Sequence, residues 1–218
     1  MTKTIFWNVD TQYDFMKPDG KLSIPGAMEI EGNLEYLTAL AAGRGITVVN
    51  TADYHSRYSR EISETPDFKT TFPPHCLEGT LGAEFIEATK PVGPYTIPWL
   101  GMDEGYWKEP IPPDPAKIQK HRNIVIYKDE FDAFHPTGAP YTDKVLQLLA
   151  PQRAIVYGVA TNVCVDFAVK GLLQRGVVVY VPTDAIKELP NLPLEEVLDS
   201  WKQLGATLIK TNEVSKYL

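Results

Sequence analysis

Six short runs of apolar, largely β-branched residues recur along this chain, and their continuity constrains the fold more than any other feature. They lie at residues 4–9 (TIFWNV), 46–51, 124–127, 154–157, 177–181 and 207–209. A strand with one face in water alternates apolar and polar side chains. A strand that is apolar throughout is covered on both faces, as in a parallel sheet between two layers of helix. Helix-like stretches fill the intervals at 27–42, 141–149, 162–174 and 194–204. Gly43 is placed to end the first and Gly176 the third. Strand followed by helix followed by strand predicts an α/β fold: a three-layer αβα, doubly wound, six-stranded parallel sheet.

With 218 residues, the chain fits one domain carrying an insertion better than two domains. The insertion is the stretch 54–119, too long for a simple crossover, with seven of the 18 prolines between Pro91 and Pro115. It also holds Tyr95, Trp99, Tyr106 and Trp107, which a solvated spacer would not carry. A long loop with aromatic content is expected to wall a binding site, and its apolar surface could also serve a homo-oligomer. A net charge of −7 with no basic cluster makes nucleic acid and anionic membrane poor partners. No apolar run approaches a membrane span, and the start has no signal-peptide pattern, so a cytoplasmic location is expected. Its two cysteines, Cys76 and Cys164, are expected to be free thiols.

In open parallel sheets, ligands bind at the carboxyl ends of the strands. Asp10, Asp53 with His55, and Lys128 follow predicted strands, and Cys164 lies just beyond a fourth at the start of a helix. If Asn162 caps that helix, the thiol sits in its first turn, where free amides favour a thiolate. Lys128 would lower the thiol pKa by its charge, and Asp10 would accept and return the proton. Each residue alone has a plainer reading, as core filler, cap or solvated charge, but three at neighbouring strand ends suggest a nucleophilic site. The small-residue turn Gly158-Val159-Ala160-Thr161 could turn the Ala160 and Cys164 amides toward an oxyanion.

A second cluster is Asp53-x-His55, with His75 twenty residues on. Imidazole with carboxylate suits zinc, iron or manganese better than calcium or magnesium. Glu61 or Glu64 could add a further ligand, Glu61 being favoured. His121 and His135 have no such companions and read as structural.

The chain resembles the nicotinamidase/pyrazinamidase branch of the isochorismatase-like cysteine hydrolases. The resemblance is carried by Val9-Asp10-x-Gln12-x-Asp14-Phe15, Asp53-x-His55, the stretch from Phe72 through His75-Cys76 to Phe85, Lys128, Phe131-Asp132-Ala133-Phe134, and Gly158-Val159-Ala160-Thr161-Asn162-Val163-Cys164. It implies an amidohydrolase with Asp10, Lys128 and Cys164 as catalytic triad and a cis Val159–Ala160 peptide. It further implies one divalent metal ion, zinc foremost, on Asp53, His55, His75 and a carboxylate such as Glu61, taking the ring nitrogen of a pyridine carboxamide. Phe15, Phe72 and Phe134 match positions that flank the substrate ring. The implied reaction takes nicotinamide to nicotinate and ammonia, a step of NAD salvage. Asn162-Val163 before the cysteine departs from the aspartate and aromatic or histidine of many nicotinamidases. That departure leaves room for a metal-free N-carbamoyl, ureido or isochorismatase-type hydrolase, or for a non-catalytic small-molecule binder.

Overall fold

The computed structural model describes residues 3–98, 112–136, 138–190 and 193–218; Trp99, Tyr106 and Trp107 therefore lie outside the described residues. Among the described residues the sheet has eight strands: β1 (Thr4–Val9), β2 (Val48–Asp53), β3 (Tyr95–Ile97), β4 (Asn123–Lys128), β5 (Arg153–Val159), β6 (Val178–Pro182), β7 (Ile186–Lys187) and β8 (Thr207–Ile209). Their order is β3-β4-β2-β1-β5-β6-β8, with β7 paired to β5, and every pairing between them is parallel. All six expected strands are present, with ends shifted by at most two residues. Two were not anticipated: β3 is three residues long between Pro94 and Pro98, and β7 has only two, too short to carry an apolar run.

The α-helices are α1 (Tyr13–Met16), α2 (Glu31–Arg44), α3 (Pro115–Lys120), α4 (Ala139–Leu149), α5 (Cys164–Gln174) and α6 (Leu194–Gln203). Successive side chains of β1 enter opposite cores. Ile5, Trp7 and Val9 pack with Ile118 of α3, Val145 of α4, Val169 of α5 and Trp201 of α6. Phe6 faces the other way, into a core built with Leu34, Leu37 and Ala41 of α2 and with Phe15 and Met16 of α1. β1 therefore buries both of its faces, as does its neighbour β2, which is why such a run is apolar without alternation.

One helix stop differs from the expected one. Gly43 lies inside α2, and Gly45, at φ 62°, ends it while its N–H returns to the Ala41 and Ala42 carbonyls. Only the second glycine takes the left-handed turn that terminates a helix. Gly176, at φ 75°, follows α5 as expected.

From β1 the chain winds outward through β2 toward β3 and β4, then returns to β5 on the other side of β1. The order reverses between β1 and β5, and the crevice at such a reversal is where open α/β sheets place ligands. Asp10 leaves β1 and Cys164 follows β5, on the two sides of that crevice.

Candidate active site

Four strand ends deliver their polar groups to one point. Asp10, immediately after β1, has φ 48° and donates its N–H to the Thr51 carbonyl at 3.1 Å. Its Oδ1 accepts the Thr51 hydroxyl at 2.6 Å, and its Oδ2 lies 2.9 Å from Lys128 Nζ. Asp53 and Lys128 end β2 and β4 in register, and Asp53 Oδ1 pairs with the same ammonium. Lys128 Nζ is 3.6 Å from Cys164 Sγ. None of these four residues is more than 7% exposed. A buried ammonium is tolerable only when it is well paired, and here two carboxylates flank it. Oxygen and sulfur atoms of Asp10, Asp53 and Cys164 lie within 4.8 Å of one another, but the Lys128 ammonium is already the cation among them.

Charge and burial act differently on each member. Burial pushes Lys128 down, but Asp10 and Asp53 outweigh it and hold the ammonium charged well above its ordinary range. Burial raises Asp10 above the usual aspartate value against the pull of Lys128. The thiol behaves contrary to the sequence expectation. Burial raises Cys164 well above an ordinary cysteine, and the nearby Lys128 only partly offsets this. Burial thus favours the thiol form, and an aspartate oxygen lies within 4.8 Å of the sulfur to receive its proton.

Asn162 does not cap α5. The helix begins at Cys164 itself, with Val163 before it, and the Asn162 side chain is bonded to the Leu189 peptide instead. The Val159–Ala160 peptide is cis, and Gly158 before it has φ 119°. In this turn the Val163 and Val165 N–H groups both return to the Ala160 carbonyl, and the Thr161 N–H goes to Lys187. The Ala160 and Cys164 N–H groups take no part in these turn bonds, as an oxyanion hole requires.

Asp53 also belongs to the second cluster. Its Oδ2 is 3.7 Å from His55 Nε2 and 3.8 Å from His75 Nε2. His55 Nδ1 lies 2.8 Å from Asp129 Oδ1, and His75 Nδ1 lies 2.8 Å from the Pro73 carbonyl. A carbonyl or carboxylate at Nδ1 calls for the proton there, leaving each Nε2 lone pair directed at Asp53. The twenty-residue gap between the histidines is closed by a parallel bridge of His55 to Leu77, and Asp14 Oδ2 accepts the Cys76 N–H at 2.8 Å. His55 Nε2 is buried with no hydrogen-bond partner. Burial would push His55 down, but Asp129 and Asp53 lift it to about 9. The cluster thus attracts a positive charge, which a divalent cation can supply in place of a proton. Two imidazole nitrogens and a carboxylate oxygen, all within 4.8 Å of one another, fit such an ion.

Glu61 is buried beside this trio but is not among its converging atoms. One oxygen accepts the Phe131 N–H at 2.5 Å, the other has no partner, and burial followed by the Asp53 charge pushes the carboxyl up to about 9. Glu64 is exposed. Of the two glutamates considered, only Glu61 is near the cluster.

Asp53, His75, Ala160 and Cys164 line one small cavity together with Phe15, Leu22, Ile24, Phe72, Phe131, Val163 and Leu189. Its volume of about 20 Å³ holds roughly one water, so a ring enters only as the apolar wall yields. Phe15 and Phe72 are among the lining residues. Phe134 does not line the cavity: it stacks on Trp7 with ring centres 5.7 Å apart, and the Arg175 guanidinium lies 4.0 Å from its ring centre. Phe131, three residues earlier, takes the cavity position and meets Phe72 edge to face at 5.6 Å. Cys76 is core, its Sγ 3.6 Å from the Gly82 carbonyl. His121 Nδ1 lies 2.7 Å from the Lys117 carbonyl.

Two supporting residues were not assigned roles from sequence. Gln12 clamps the main chain of Asp53, accepting its N–H and donating to its carbonyl, both at 2.7 Å. Asp129 orients His55, and its position directly after Lys128 at a strand end was the available signal.

Comparison with known proteins follows the same lines. Residues 107–213 match the isochorismatase domain. The chain is 30% identical over 200 residues to the nicotinamidase/pyrazinamidase of Mycobacterium tuberculosis, covering 88% of this chain and 97% of that one. Its fold is similar to that of the pyrazinamidase of Pyrococcus horikoshii solved in complex with zinc, with a TM-score of 0.70, 23% identity and coverage of 95% and 99%. It is equally similar in fold to the N-carbamoylsarcosine amidase of Thermoplasma acidophilum, with a TM-score of 0.71, 19% identity and coverage of 97% and 98%.

Proposed function

The chain belongs to the isochorismatase-like cysteine hydrolases, on their nicotinamidase/pyrazinamidase branch, and on that premise we propose that it hydrolyses nicotinamide to nicotinate and ammonia through a thioester on Cys164. One observation carries the choice of substrate. Cys164 of the thiol cluster and His75 of the imidazole cluster line the same cavity, with Asp53 belonging to both clusters. A flat ligand with a ring nitrogen at one end and a carboxamide at the other would meet both at once. Among the described residues, the others that line the cavity are apolar or aromatic, with no arginine or lysine.

In this mechanism Asp10 takes the Cys164 proton as the sulfur attacks the carboxamide carbon. Lys128 stays charged throughout and steadies Asp10 and the developing thiolate. The carbonyl oxygen becomes an oxyanion and accepts hydrogen bonds from the Ala160 and Cys164 amides. Asp10 returns the proton to the amide nitrogen, the carbon–nitrogen bond breaks, and ammonia leaves a thioester. A water then loses a proton to Asp10 and attacks the thioester carbon. The carbon–sulfur bond breaks, the sulfur recovers the proton, and the acid departs. Asp53, His55 and His75 would hold a divalent ion, zinc foremost, which when bound would supply a Lewis acid for a ring nitrogen, while the lining side chains orient the ring and its carboxamide toward Cys164.

Ammonia release from nicotinamide, measured beside N-carbamoyl and ureido compounds on protein of known metal content, tests this reading. Fast release from nicotinamide with about one metal per chain is the expected result. Release from only a carbamoyl or ureido compound by metal-free protein would overturn it.

A further inference from the structure

Leu22, Ile24 and Leu189 form part of the apolar wall that must yield when a ring enters, and they are not held equally. The Leu22 N–H is tied to the Asp14 carbonyl at 3.1 Å and the Ile24 N–H to the Phe15 carbonyl at 2.9 Å, so both are held by main-chain bonds to α1. Leu189 is half-buried in the segment after β7, and one side chain holds both of its main-chain groups. Asn162 Oδ1 accepts the Leu189 N–H at 3.0 Å, and Asn162 Nδ2 donates to the Leu189 carbonyl at 2.8 Å. A peptide presents one donor and one acceptor, and a primary amide answers both. An aspartate could accept the N–H but would set a carboxylate oxygen against the carbonyl.

We infer that Leu189 is the specificity wall of the cavity and that Asn162, two residues before Cys164, is the positioning residue that sets it. The inference rests on the pyridine carboxamide reading above and adds to it. The wall limits the ring to an unsubstituted edge, and Asn162, which does not itself line the cavity, acts on the choice of ring through Leu189. Asn162 would then explain why an amide, rather than a carboxylate, stands at this position in this chain.

The test is the ratio of kcat/KM for 5-methyl- and 6-methylnicotinamide to that for nicotinamide, in wild type, Leu189→Ala, Asn162→Asp and the double variant. One methyl group in an apolar pocket is worth about 10-fold or more in discrimination. Leu189→Ala is expected to raise the ratio about 10-fold for at least one analogue. Asn162→Asp should raise it in the same direction, and should add nothing in the Leu189→Ala background. A merely structural Asn162 would depress both substrates alike and leave the ratio unmoved. An unchanged ratio in Leu189→Ala, or additive effects in the double variant, would overturn the inference.

Failure of the functional reading is separately visible as absence of nicotinamide turnover in wild type. In that case the rates of Cys164 alkylation by N-ethylmaleimide and by iodoacetamide read the same wall without substrate. Their ratio should rise toward the bulkier reagent in both single variants, and no change would overturn the inference.

Discussion

Asp53 and Lys128 face each other in register across β2 and β4 and join side chains in an ion pair closed to water. Through this pair the two clusters touch. One carboxylate oxygen of Asp53 holds the ammonium that approaches Asp10 and Cys164, and the other lies between His55 and His75. Both clusters therefore depend on the position of one shared carboxylate.

Lys128→Met tests this dependence. The substitution keeps most of the side-chain volume but strands the Asp10 and Asp53 carboxylates in the interior. Breaking a buried pair from one side costs about 3–5 kcal/mol. The denaturation midpoint should fall accordingly, with ammonia release lost. An unfolding free energy within about 0.5 kcal/mol of wild type, the usual range for surface substitutions, would show that the pair is not a structural keystone.

Asp129 is expected to act on metal affinity. Its carboxylate fixes the proton on His55 Nδ1 and so presents Nε2. Loss of such an orienting partner typically costs about 10–100-fold in metal affinity. Competition of Asp129→Ala with a chelator of known affinity should show a loss in this range. An unchanged zinc dissociation constant would remove Asp129 from the account.

Asp67 makes the loop before Phe72 sensitive to acid. Its Oδ1 accepts the N–H groups of Lys69, Thr70 and Thr71 at 2.8–2.9 Å, and its Oδ2 accepts the Thr70 hydroxyl. These bonds, the Lys69 N–H first, hold the carboxyl below its ordinary range. Because the folded pKa is lower than the unfolded one, the stabilisation is complete above about pH 3.9 and is lost as pH falls toward the folded value. Amide exchange at residues 69–71 should accelerate selectively in that acid window. Asp67→Ala should show the faster exchange already at neutral pH, and protection unaffected by the substitution would refute the role.

Gly158→Ala should be among the most damaging single-methyl changes. Gly158 has φ 119°, outside the range of L side chains, and a Cβ there would strike the Val9 carbonyl of the paired strand. Backbone strain alone is of the order of 1–3 kcal/mol, and the clash adds to it. Thermal melting should show a drop of several degrees or no folded protein, whereas a wild-type melting curve would contradict the geometry.

Much of this architecture is legible in the sequence because burial on both faces writes itself as continuous apolar runs. Asp10, Asp53, Lys128 and Cys164 are legible for a related reason: a polar residue after such a run marks a strand end, and parallel strands end on one side. What fails is decided by tertiary contact. Phe131 and Phe134 are chemically identical and three residues apart on a loop, and only the packing of Phe134 between Trp7 and Arg175 separates core from cavity wall. Asn162 reads as a helix cap until Leu189, 27 residues away, claims its amide. The expectation of a lowered thiol pKa followed from the first turn of the helix and from Lys128. Complete burial is a property of the folded site and outweighs that neighbour.

The central claim is covalent catalysis by Cys164 on a pyridine carboxamide, and acid-quenched mass spectrometry during nicotinamide turnover tests it most directly. The account predicts a nicotinoyl adduct on the peptide containing Cys164 and none on that containing Cys76. In Cys164→Ala it predicts no adduct and a turnover rate lower by about 10³-fold or more, with metal content retained. Ammonia release persisting at a wild-type rate in Cys164→Ala would contradict it.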